Sequence, residues 1–144
     1  MLPSNDRNIL VTFHYYEPFD FTHQGAPWTD QKTTGIRWGK AADLAKLSDD
    51  FARVSSWAHR NRRPILLGEF GAYDKSGTPL ELRTGYTSAV AREAERNGFG
   101  WTYWQFDSDF IAWDHEQNRW FEPIRNALIP AGTKASDEII PEAR

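Results

Sequence analysis

The sequence predicts an α/β fold: a small parallel sheet covered by crossover helices. Three observations carry this. Strand-like and helix-like segments alternate along the chain, one strand-length run is apolar almost throughout, and a longer segment repeats at helical spacing. Residues 8–16 (NILVTFHYY) are β-branched and aromatic and read as a strand that Pro18 ends. Residues 17–37 read as a long loop holding Gly25, Pro27 and Gly35, of a length that usually carries function or disorder. Across residues 41–62, Leu44, Leu47, Phe51, Val54, Trp57 and Ala58 fall on one helical face. Arg60, Arg62 and Arg63 suit the negative end of that helix, and Pro64 stops it. Residues 65–70 (ILLGEF) fit a strand buried on both faces, as in a parallel sheet. A polar loop at 73–79 leads to a second helix through Leu82, Tyr86, Ala89, Val90 and Ala94, closed by Gly98. Residues 99–106 (FGWTYWQF) read as a third strand, 107–118 as an acidic loop and 119–129 as a shorter helix. The expected organisation is one α/β domain over residues 1–130 and a tail over 131–144.

Composition narrows the function. The 144 residues suffice for one domain, and a chain this long can bury roughly 70% of its unfolded surface. With 17 Lys+Arg against 20 Asp+Glu there is no basic stripe, so no nucleic-acid partner is expected. No apolar run approaches the ~20 residues of a membrane span. Without cysteine there are no disulfides or thiolate metal sites, and no HxH or HxxxH pair points to a metal. No cofactor is called for. The first seven residues lack the apolar stretch of a signal peptide, so the chain as written is expected in the cytoplasm. The seven Trp and nine Phe have two readings. They fill a core, or they offer flat faces to the apolar faces of sugar rings.

In parallel β/α folds the reactive side chains sit where strands end. Those positions hold His14 and Tyr16, then Glu69, then Trp104 and Asp107. Strand alternation points His14 and Tyr16 the same way. Glu69 sits in an apolar run, where a carboxylate needs partners or stays neutral, so it marks a candidate site. A structural Glu bonded to an Arg is the ordinary alternative.

These residues fall in motifs that resemble family-5 glycoside hydrolases of the bacterial endoglucanase type. Gly68-Glu69-Phe70-Gly71 is similar to that family's seventh-strand motif, and Thr12-Phe13-His14-Tyr15-Tyr16 to its sixth strand. Phe21 to Ala26, followed by Trp28, resembles the loop after strand six. Trp101-Thr102-Tyr103-Trp104 resembles strand eight. The resemblance implies a partial (β/α)8 TIM barrel of about three β/α units. It also implies a retaining β-1,4-glucan hydrolase with Glu69 as nucleophile, supported by His14 and Tyr16. Trp104 would then stack under a sugar, with Trp101 as the alternative platform and Trp28 and His23 as further substrate contacts. Enzymes of this kind are usually secreted.

The family's acid/base carboxylate follows an Asn on strand four, and this chain has no Asn-Glu pair. Three parallel strands also leave two open edges, so self-association is expected, with a dimer favoured. Asp107 of a second copy is the candidate surrogate acid, with Glu17 next. Loop solvation or helix capping is the ordinary reading of Asp107 and Asp109. A catalytically dead carbohydrate-binding remnant and half of a split glycosidase are the alternatives.

Overall fold

The computed structural model describes Pro3 and residues 6–132, so most of the tail expected over 131–144 lies outside the described residues. The elements are β1 (Val11–Tyr15), α1 (Phe19–Thr22), α2 (Ala41–Asn61), β2 (Ile65–Phe70), α3 (Leu80–Arg96), β3 (Gly100–Trp101), β4 (Trp113–Asp114), β5 (Arg119–Trp120) and α4 (Glu122–Leu128). The first three strands form a parallel sheet in the order β1-β2-β3, with α2 and α3 as its crossovers. This is the expected α/β arrangement of three β/α units.

Local chemistry places the helix ends. Asp43, in the first turn of α2, accepts hydrogen bonds from the backbone N–H groups of Gly39 and Lys40, both at 2.9 Å, which satisfies otherwise orphaned donors. The same helix closes through a left-handed Arg62, and Pro64 follows. Arg63 does more than complement the helix dipole: its guanidinium donates to the carbonyls of Asp6 and Pro3, tying the N-terminal segment to the foot of α2. At α4, Pro123 occupies the first turn, where a missing N–H costs nothing.

The core lies between the sheet and its helices. Leu47 and Phe51 from α2, Tyr86, Val90 and Ala94 from α3, and Ile65, Leu67 and Phe70 from β2 are buried, and Ile124 and Leu128 of α4 close it. Phe51 meets Phe13, Tyr15 and Phe99 ring to ring. Burying one such side chain contributes about 1.5–3 kcal/mol. On the other face of the sheet, Thr12, His14, Gly100 and Thr102 stay exposed.

Four expectations need correction. The strand expected at 99–106 pairs regularly only over Gly100–Trp101. Beyond it, Thr102 N and Trp104 N still donate to Leu67 and Phe70 carbonyls at 2.9 and 3.0 Å, so the chain continues along β2 without a full ladder. The acidic segment 107–118 is not simply a loop: Trp113–Asp114 pairs antiparallel with Arg119–Trp120, through a turn where Asn118 takes a positive φ that Asn tolerates. Those pairings claim Arg119 and Trp120, so the last helix starts at Glu122, not at 119. The long loop after β1 also contains the short α1. Among the described residues no helix is long and apolar enough to cross a membrane.

Candidate active site

The site begins with an irregularity between β1 and β2. Phe13 pairs with Leu67, but His14 pairs with Glu69, so Gly68 is the extra residue of a bulge. Strict alternation would put Glu69 on the face of Ile65 and Leu67, against the helices. The bulge shifts it onto the face of Thr12 and His14. Gly68 leaves room for this arrangement: a methyl group there would collide with Thr12 Oγ1 unless that side chain turned, and would press on the His14 ring at 3.3 Å.

His14 and Tyr16 then converge on one carboxylate oxygen. The Tyr16 hydroxyl donates to Glu69 Oε2 at 3.0 Å, and His14 Nδ1 lies 3.3 Å from the same oxygen. No hydrogen bond to Oε1 is found among the described residues. Burial, then the bond to Glu69, pushes the Tyr16 phenol far above its ordinary pKa, so it stays a donor at any working pH. Glu69 keeps 27% of its side-chain surface exposed, which leaves it reachable. If Glu69 acts as a nucleophile, a Tyr16→Phe variant should lose turnover by about tenfold or more while its Michaelis constant changes little, as steady-state kinetics would show.

Residues after β1 hold Tyr16. Thr22, fully buried, donates its hydroxyl to the Tyr16 carbonyl at 2.7 Å. That uses the hydroxyl's one proton, so His23 Nδ1, 2.9 Å from the same oxygen, carries the hydrogen of that contact. His23, expected as a substrate contact, is only 8% exposed. It stacks on Phe19 and meets the rings of Tyr16 and Phe110 edge-on. Burial lowers its pKa and keeps it neutral. Sequence patterns do not reveal Thr22 or Phe110, because their roles depend on neighbours far along the chain. Gln24 is similar: its buried amide donates to the Phe21 and Ile36 carbonyls and accepts from Ile36 N–H, which fastens the long loop.

Three loops meet above the sheet. Tyr73 N donates to the Thr22 carbonyl at 2.8 Å and Asp74 N to the Asp109 carbonyl at 3.0 Å, and Lys75 pairs with Asp109 at 2.6 Å. Ala26, Tyr73 and Phe110 pack into a second apolar cluster that Tyr16 and Tyr103 join. Trp28 rests edge-on against Tyr73 with half its surface exposed.

Trp104 is 41% exposed and follows Thr102, whose hydroxyl donates to the Gly68 carbonyl, so Trp104 belongs to the Glu69 side of the sheet. Trp101 does not. Its indole donates to Glu95 of α3 at 3.1 Å, which sets it on the helix side and corrects its assignment as an alternative platform. Asp107 is exposed and bonded to His115 Nε2 at 2.6 Å within its own chain. No group of three His, Cys, Asp or Glu among the described residues is placed to hold a metal.

A parallel β/α layer with a carboxylate at the end of its central strand fits a segment of a (β/α)8 barrel. Residues 2–110 match the family Cellulase (glycosyl hydrolase family 5), and the chain belongs to that family. Endoglucanase B of Clostridium cellulovorans is 35% identical over 104 residues, which cover 72% of this chain and 22% of that protein. The endoglucanase Cel5A of Thermotoga maritima superposes with a TM-score of 0.85 at 42% identity, over 90% of this chain and 42% of that one. The clostridial cellulose synthase subunit Z of Clostridioides difficile gives 0.84 at 36% identity, over 90% and 43%. The chain thus spans about a fifth of its matched curated relative and some two-fifths of these structures.

Proposed function

We propose that this chain provides the nucleophile side of a retaining endo-β-1,4-glucan hydrolase. The observation that carries the reading is the convergence of Tyr16 and His14 on Glu69 Oε2, which leaves Oε1 open for attack. Glu69 Oε1 would bond to the anomeric carbon as the glycosidic C–O bond breaks, and a second carboxylic acid would protonate the departing oxygen. Water would then cleave the glycosyl ester and give its proton to that second group. The Tyr16 and His14 contacts hold the first carboxylate in one orientation while it waits.

The second carboxyl must stand about 5–5.5 Å from the first. In this reading it is supplied by assembly, with Asp107 of a second copy as the surrogate once released from His115. β-Glucan as substrate rests on the relatives: those matched include endoglucanases, and the Thermotoga maritima enzyme has been seen with cellobiose and with mannotriose. The test is reducing-sugar release from carboxymethyl cellulose by purified chain across a dilution series, with product anomers followed by NMR. Retained configuration supports the mechanism. Sugar binding without any release would favour a binding remnant, and activity that returns only with added N-terminal barrel units would favour a split enzyme.

Trp104 is the proposed stacking platform. Trp104→Ala should weaken cello-oligosaccharide binding by roughly five- to tenfold, since such a face contributes on the order of 1 kcal/mol. Unchanged affinity in calorimetry would remove it from the site.

A further inference from the structure

A polar cluster lies behind the loops, between α3 and the residues that follow β2. Arg83 and Thr87 stand one turn apart on α3, among the residues that the helix buries with Tyr86, Val90 and Ala94. Arg83 is only 7% exposed, and Thr87 is fully buried. A buried guanidinium keeps its charge, and in the first turns of a helix the backbone dipoles disfavour a cation. The opposite charge belongs to Asp74, just past β2. Burial pushes the Asp74 carboxyl upward, against the pull of the Arg83 and Lys75 charges. Burial also lowers Arg83, and there Asp74 opposes it.

The two charges act on each other without a direct bond. Arg83 Nε and Nη1, Asp74 Oδ1 and Thr87 Oγ1 are all buried, and none has a hydrogen-bond partner among the described residues. Buried polar groups left this way are costly, charged ones most of all. The chemistry of the set selects what satisfies it. An anion would be repelled by the Asp74 carboxylate, and a metal ion by the Arg83 guanidinium. A water accepts from the guanidinium and donates to the carboxylate and the hydroxyl, which is how such groups are commonly satisfied inside proteins.

The cluster stands behind the wall of the Glu69 site. The main-chain N–H of Asp74 and the side chain of Lys75 both hold Asp109. The next residue, Phe110, accepts at its carbonyl from the Tyr103 hydroxyl at 2.7 Å, and the charges of Arg83 and Asp74 both reach that phenol. The Phe110 ring lies edge-on to Tyr16, with centroids 6.1 Å apart, and Tyr16 is the donor to Glu69 Oε2.

We infer that Arg83 and Asp74 are joined through internal water, and that this bridge positions Tyr16 against Glu69 by way of Asp109 and Phe110. Arg83 and Asp74 are thus positioning residues, and their part in a reaction rests on the reading of Glu69 as nucleophile.

The test is NMR on the full chain and does not depend on sugar release. The Arg83 Nε–H should cross-relax with a long-lived internal water and exchange with solvent at least about tenfold more slowly than that of the exposed Arg60. Tyrosine labelled with carbon-13 at Cζ reports the second link. Asp74→Ala removes the acceptor and keeps the main-chain bond to Asp109, and Arg83→Met removes the donors and keeps a long stem. Each should shift the Tyr16 Cζ signal, while Gly85→Ala on the same helix leaves it in place. Circular dichroism checks the fold, and Asp74→Asn, closest in size, replaces a variant that does not fold. An Arg83 Nε–H that exchanges as fast as that of Arg60, or that meets no long-lived water, overturns the bridge. Arg83 signals that follow added chloride overturn it in favour of an anion. A Tyr16 signal unmoved in the folded variants overturns the positioning role. Undiminished sugar release by Glu69→Gln would sink the nucleophile reading alone and leave both NMR results standing.

Discussion

Glu69→Gln is expected to leave the fold in place and lower turnover by several orders of magnitude. The amide keeps the shape of the side chain, and its carbonyl can still accept the Tyr16 hydroxyl that lies 3.0 Å from Oε2. What it loses is the anionic oxygen that would form the glycosyl ester. Tyr16 and His14 meet only one of the two carboxylate oxygens, so the substitution disturbs few contacts. Sugar release and circular dichroism measured on the same preparation check both halves. Activity near that of the unmodified chain, with contaminating glycosidase excluded, would discard Glu69 as the nucleophile.

The largest effect on stability is expected at Gly71. A methyl group there would overlap the Trp104 carbonyl oxygen, stand 2.8 Å from Phe110 Cδ1 and press on the Tyr103 ring at 3.3 Å. The Trp104 carbonyl belongs to backbone already held by the Trp104 N–H bond to Phe70, so relief requires moving the chain. Gly71→Ala should cost about 3 kcal/mol, roughly 10 °C in Tm for a domain of this size. Gly85 is the control. It lies in α3, and the space a methyl group would enter has no neighbour within 4 Å, so its Ala variant should be neutral or gain up to about 1 kcal/mol. Equal melting temperatures for the two Ala variants would contradict the packing argument at Gly71.

Much of the fold was legible because its signals are local. The spacing through Leu47, Phe51 and Ala58 marks the buried side of α2, and the ILLGEF run marks the central strand. Alternation also puts His14 and Tyr16 on one side, where they are found. The same alternation fails at Glu69: it would turn the carboxylate toward the helices, and only the bulge at Gly68 turns it back. Motif resemblance singles out Glu69 where periodicity alone points it the wrong way. The β4–β5 hairpin escapes because each strand has two residues, shorter than any periodicity can reveal. Trp101 competes with Trp104 in the sequence because both are Trp in one short run. Counting in twos from Thr102, which bonds to the Gly68 carbonyl, separates them.

The backbone bonds that join the three loops have a bearing on the thermodynamics of ligand capture. Thr22 to Tyr73 and Asp109 to Asp74 are main-chain links, and they tie the segments that follow β1 and β3 to the residues just past β2. Fixing a residue's backbone costs about 1–2 kcal/mol of conformational entropy, and here that loss is incurred when the chain folds. In the proposed function, a sugar arriving at Glu69 would meet these linked segments with that part of the ordering cost already met.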